Sequence, residues 1–171
     1  SLWLDWVQAM PAYSAWFDAK MFAHRLMPTV MTNAQALGAS HAVAWGAQIC
    51  AAAIALGFAW WIMRSGVTEL AIAGIVAATF FALPHAFVYD LPMLAAAVVL
   101  AVTHIQRRGE ELTALEALVF LATLLFPGMM TLSETHLPVG GVALAAFMAV
   151  IGNRHMQTQA RPRPAVPATR G

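Results

Sequence analysis

From His41 to Met63 the chain runs through 23 consecutive residues without a lysine, arginine, aspartate or glutamate. The run closes on Trp60 and Trp61 beside Arg64, the aromatic-then-basic order of a membrane interface. A helix of about 20 apolar residues spans a bilayer, so this segment is read as a membrane span. The rest of the 171 residues follows suit: 61% are apolar and 10% charged, against about 45–50% and about 25% in an ordinary soluble domain. A soluble globular protein is excluded on that ground. The net charge of +1 supplies no basic field for nucleic acid. Cys50 is the single cysteine, so the sequence holds neither a disulfide framework nor a thiolate metal cluster.

Four more spans follow from where the charges fall. Between Ser65 and Gln106 the only charges are Glu69 and Asp90, and the stretch suits two short spans divided at Pro84-His85-Ala86-Phe87-Val88-Tyr89-Asp90. Pro84 removes a backbone donor and disfavours helix before it, while Asp90 can cap a new helix whose first turn tolerates Pro92. The expected spans lie near 41–63, 67–84, 90–106, 112–130 and 137–153. Arg64, the Arg107-Arg108 pair, and Arg154, Arg161, Arg163 and Arg170 stand on alternate loops, which the positive-inside rule assigns to the cytoplasm. The predicted fold class is therefore all-α: a polytopic helical bundle of about five spans in the cell (inner) membrane, with a cytoplasmic C-terminus.

Residues 1–40 are then expected outside. Trp3, Trp6, Met10, Tyr13 and Phe17 form a helical apolar stripe, with Pro11 expected to divide it into two short helices. An interfacial helix is preferred over the wall of a substrate groove. Met27-Pro28-Thr29-Val30 starts a short helix that Leu37-Gly38 ends, and Ser40 can cap the first span. Residues 154–171 are expected to be a disordered basic tail, owing to the low apolar content from Gln157 onward. An outward stretch of 40 residues opening on Ser1, without the order of a signal peptide, is read as a loop of a longer protein, of which this chain is a carboxy-terminal part.

On this topology most of the candidate reactive groups face outward. Asp90, at the edge of a long apolar stretch, is both a helix cap and a functional candidate. Tyr89 can donate to a phosphate or a sugar hydroxyl, and His85 can donate to a phosphate or carry a proton. Lys20 and Arg25, with His24 between them, form a small basic group that suits a phosphate or simply snorkels to the interface. Glu134 and His136 pair an acid with an imidazole, a combination also common in solvated loops. His104 and Glu116 are expected on the cytoplasmic side in packing or capping roles. No HExxH, GxGxxG, Walker or GxSxG sequence occurs, so the motifs imply neither a metal nor a cofactor.

Met27-Pro28-Thr29-Val30, Leu37-Gly38-Ala39-Ser40 and Leu83-Pro84-His85-Ala86-Phe87-Val88-Tyr89-Asp90-Leu91, with the spans between and after them, resemble the carboxy-terminal part of glycosyltransferase family 87, bacterial polytopic GT-C membrane enzymes. The resemblance covers most of residues 12–153. It implies a polyprenyl-phosphate sugar donor, often of mannose, and transfer of the hexose to a lipid or glycan acceptor on the outward face. It also implies a catalytic base in an early outward loop; Asp5 and Asp18 do not match that position, so the base stays unassigned. His85, Tyr89 and Asp90 are the implied donor or acceptor contacts, with Lys20 and Arg25 as weaker phosphate contacts. Two alternatives stand beside this enzyme: a secondary transporter with a discontinuous helix at Pro84–Asp90, and a non-catalytic membrane assembly subunit.

Overall fold

A computed structural model of the chain describes residues 2–19, 29–66, 68–84, 92–132 and 139–160. They form seven helices and, among the described residues, no strand. In chain order these are α1 (Leu2–Ala19), α2 (Val30–Ala36), α3 (His41–Met63), α4 (Glu69–Ala82), α5 (Pro92–Arg107), α6 (Ala114–Leu132) and α7 (Val139–Ala160).

Local chemistry sets several of these boundaries. Thr29 caps α2 by accepting from the Thr32 N–H, and Gly38 takes the left-handed conformation (φ 88°) just beyond that helix. Ser40 accepts from the Val43 N–H to open α3, and Thr68 does the same for Ala71 in α4. Thr113 and Glu116 form a reciprocal capping box at α6: Glu116 N–H donates to Thr113 Oγ1, while Thr113 N–H donates to Glu116 Oε2 at 2.8 Å.

Helix α4 occupies the centre, packed against α3, α5 and α7; α6 packs on α5 and α7, and α2 on α3 and α7. Small side chains share the interior with larger apolar ones. Seven of the fifteen residues of the main core cluster are alanine, and Gly74 lets Ile62 and Ile151 close against the α4 backbone. Phe120 and Phe147 meet edge to face, with ring centroids 5.6 Å apart, and seal α6 against α7.

Three expectations need correction. Helix α1 continues through Pro11, so the lost backbone donor does not divide it. Helix α7 extends to Ala160, past the expected boundary at 153, because Arg154, His155 and Gln159 find partners on other segments. Among the described residues, α3 alone is both long and apolar enough to cross a membrane by itself. At 14 and 16 residues, α4 and α5 are about 21 and 24 Å long, short of a hydrocarbon core of about 30 Å. The last two turns of α7 are polar.

Candidate functional site

The seven residues singled out as candidate contacts, Lys20, Arg25, His85, Tyr89, Asp90, Glu134 and His136, lie outside the described residues. Three of the helix ends that flank their segments, the start of α2, the end of α4 and the start of α7, lie close together at one end of the bundle. Gln48, only 2% exposed although it stands in the middle of an apolar run, makes the principal tie. Its Oε1 accepts from the Met31 N–H at 3.0 Å, and its Nε2 donates to the carbonyls of Phe81 (3.2 Å) and Ala82 (2.9 Å). One amide thus satisfies an orphan donor in the first turn of α2 and orphan acceptors in the last turn of α4. Close by, Gly141 of α7 leaves room for the Asn33 amide, which would stand 2.9 Å from a β-carbon there.

The opposite end gathers the charges. The C-termini of α3, α5 and α7 meet the N-termini of α4 and α6, bringing together the helix ends that carry Arg64, Arg107-Arg108 and Arg154. Glu69 at the start of α4 pairs with Arg107 at the end of α5 and faces His104 Nδ1 at 3.4 Å. Gly109, at φ 68°, turns the chain so that Glu110 Oε1 meets Arg108 Nε at 3.1 Å. Arg154 is the hub. Its Nε and Nη2 donate to the two oxygens of Glu116, Nη2 also to the Glu111 carbonyl at 2.8 Å, and Nη1 to Glu110 Oε2 at 2.7 Å. The Arg108 guanidinium, and after it Arg154, hold the Glu110 carboxyl below the usual carboxylate range.

His155 completes this end. Its ring stands edge-on to Trp61, with centroids 5.0 Å apart, and its Nε2 lies 3.1 Å from Ser65 Oγ and 2.9 Å from Gln159 Nε2, which also donates to that hydroxyl. Burial, and secondly the nearby His104, push the imidazole below its ordinary value. Since the Gln159 amide nitrogen can only donate, the lone pair of Nε2 faces that amide. An open groove of about 590 Å³ runs beside Arg154 between α6, α7 and the turn at Gly109.

His104 and Glu116 stand at this end, His104 as a pairing partner and Glu116 as both cap and ion pair, in line with the packing and capping roles expected of them. Sequence reasoning missed Gln48 and the reach of Arg154. The Thr113-x-x-Glu116 spacing was a readable signal for the cap; nothing local marks Gln48 or pairs Arg154 with Glu116. Chemically the Arg154 corner is a clamp: its guanidinium is committed to the Glu110 and Glu116 carboxylates and the Glu111 carbonyl. Among the described residues no three His, Cys, Asp or Glu side chains gather to hold a metal ion.

Compared with models of protein families, with curated proteins and with solved structures, the chain matches none.

Proposed function

We propose that this chain is a multi-pass membrane bundle of five spans, α3 to α6 and α7 as far as about residue 153, and that it forms the carboxy-terminal part of a polyprenyl-phosphate-dependent glycosyltransferase. One observation carries the membrane reading: many large apolar side chains stay exposed around a bundle whose buried helix contacts include many alanines. Ala44, Ala55, Ala71, Ala73, Ala77, Ala97 and Ala101 are buried, whereas Leu56, Trp60 and Leu118 are 68%, 70% and 62% exposed. A water-soluble domain gains most of its stability by hiding such side chains, each worth roughly 1.5–3 kcal/mol. In lipid that gain is absent, and helices associate through close backbone approach over small residues. The shortness of α4 fits the same reading, since α3, α5 and α7 pack around it.

The charged end, with its arginines, is assigned to the cytoplasm. The loops holding His85, Tyr89, Asp90, Glu134 and His136 then lie outside, as does the segment with Lys20 and Arg25. There the chain is assigned transfer of a hexose, mannose by resemblance, from the polyprenyl phosphate to a lipid or glycan acceptor. The Met27–Val30 and Leu83–Leu91 motifs support this activity. A non-catalytic assembly subunit is the second reading, favoured by the mutual pairing of the polar groups at the charged end.

Two measurements test the proposal. Single cysteines at Ser133 and Gln106, in a Cys50→Ala background, should label from outside and inside respectively; the reverse pattern inverts the topology. Membranes containing the longer protein should transfer hexose from a polyprenyl phosphate donor, and Asp90→Asn should lower the turnover at equal expression. Unchanged turnover removes Asp90 from the site, and no transfer by the unaltered protein favours the assembly subunit.

A further inference from the structure

The groove beside Arg154 has a lining of mixed charge, amide and apolar character. Three carboxylates, those of Glu110, Glu111 and Glu116, stand there against the one guanidinium of the lining, and four of its five N–H donors are already committed to the Glu110 and Glu116 carboxylates and the Glu111 carbonyl, with Arg108 also on Glu110. No free cation is left in the lining for an anionic head group. Two kinds of polar group remain uncommitted. The exposed Glu111 carboxylate makes no hydrogen bond among the described residues, and neither do the side-chain amides of Asn153 and Gln157, which lie four residues apart on one face of α7. The third wall is apolar: Leu115, Ala149 and Val150 line it, and Leu115 leads one turn along α6 to the exposed Leu118.

We propose that this groove binds an amine-headed phospholipid of the phosphatidylethanolamine type, from the leaflet at the charged end, and that it rests on the membrane reading above. The primary ammonium donates to the Glu111 carboxylate, the Asn153 and Gln157 amides donate to the phosphodiester, and the glycerol and acyl chains lie along Leu115 and Leu118. A volume of about 590 Å³ falls in the range of small-ligand sites, roughly 300–1,000 Å³. Charge selects against phosphatidylglycerol, whose single net negative charge meets a net anionic lining. Donor chemistry selects against phosphatidylcholine, whose trimethylated nitrogen has no N–H for Glu111.

The full chain is reconstituted in bilayers of equal parts phosphatidylethanolamine, phosphatidylcholine and phosphatidylglycerol, extracted in mild detergent, and its retained lipid is quantified by mass spectrometry. Phosphatidylethanolamine should be enriched about threefold over the bulk, the scale that an exposed charge pair supplies. Glu111→Gln should abolish the enrichment over phosphatidylcholine. Asn153→Ala/Gln157→Ala should lower retention of both zwitterionic lipids, with the thermal midpoint unchanged in each variant. Equal retention of the two zwitterionic lipids, enrichment of phosphatidylglycerol, or a Glu111→Gln protein that keeps the enrichment overturns the proposal. A chain that stays in solution overturns the membrane reading along with it, whereas one that reconstitutes without head-group preference overturns the groove assignment alone.

Discussion

Arg154 and Glu116, 38 residues apart in sequence, meet through two parallel nitrogen–oxygen contacts of 2.5 Å, Nε to Oε1 and Nη2 to Oε2. The fork-to-fork geometry is the strong form of an ion pair, and each side chain is only 8% exposed. Because Glu116 also caps α6 through Thr113, one carboxylate both starts that helix and holds the end of α7. Arg154→Ala leaves that carboxylate without its cation, and breaking a buried pair from one side costs roughly 3–5 kcal/mol. Thermal unfolding in detergent checks this. Arg154→Lys should recover only part of the loss, since an ammonium cannot make both contacts in the same plane. A midpoint for Arg154→Ala equal to that of the unaltered protein would show that the clamp is not structural.

Gln48→Leu keeps the size and apolar character of its surroundings but leaves the Met31 N–H and the Phe81 and Ala82 carbonyls without their partner. An unpaired buried polar group costs about 1–3 kcal/mol, so this substitution should destabilise although it makes α3 more hydrophobic. Hydrogen exchange should localise the change to the start of α2 and the end of α4. Uniform exchange across the bundle would contradict the tie.

Two glycines make an internal control. A β-carbon on Gly74 would stand 2.8 Å from Ile62 Cδ1 and 3.2 Å from Ile151 Cγ2, while one on Gly57 meets nothing within 4 Å. Gly74→Ala should therefore destabilise by about 1–3 kcal/mol through overpacking. Gly57→Ala should be neutral or stabilising by up to about 1 kcal/mol, through helix propensity. Equal effects in chemical unfolding would count against the packing at α4.

Acid should weaken the charged end in two stages. The folded chain favours neutral His155, so its contribution is complete above the ordinary imidazole value of 6.5 and diminishes as pH falls through the lowered folded value. Glu110 is held ionised, so its contribution is complete above 4.5 and is lost as pH falls further. The unfolding midpoint, followed from pH 8 downward, should decline first in the imidazole range, and His155→Gln should remove that first decline while leaving the second. A first decline that persists in His155→Gln would place its origin elsewhere.

The bundle helices were largely legible in the sequence, because charges interrupt the apolar runs where the helices end: α3 spans 41–63 as read, and the others start or stop near the expected residues. The cap at Ser40 could be read because capping is local, while the equivalent cap at Thr29 was not singled out. The continuation of α7 was not legible. Arg154, His155 and Gln159 are polar and look like the start of a solvated tail until Glu116, Ser65 and Trp61 are brought beside them from far along the chain. Gln48 escaped notice for the same reason, since a single amide in an apolar run acquires its role only from the helix ends packed against it. Length limits the span count: whether a helix of 14 residues crosses a bilayer depends on its neighbours, and composition does not reveal them. The outward candidates were chosen by residue type at breaks in the pattern, and those breaks lie outside the described residues.

Gln48 also sets how the two ends it joins can move. The chain leading into α2 and the chain leaving α4 depart from points held by the same amide, through one acceptor and one donor group. A displacement of the first turn of α2 therefore pulls on the last carbonyls of α4, and the reverse holds equally. Met31 and the Phe81–Ala82 pair share a common pin, so a load applied at the start of α2 is felt at the end of α4.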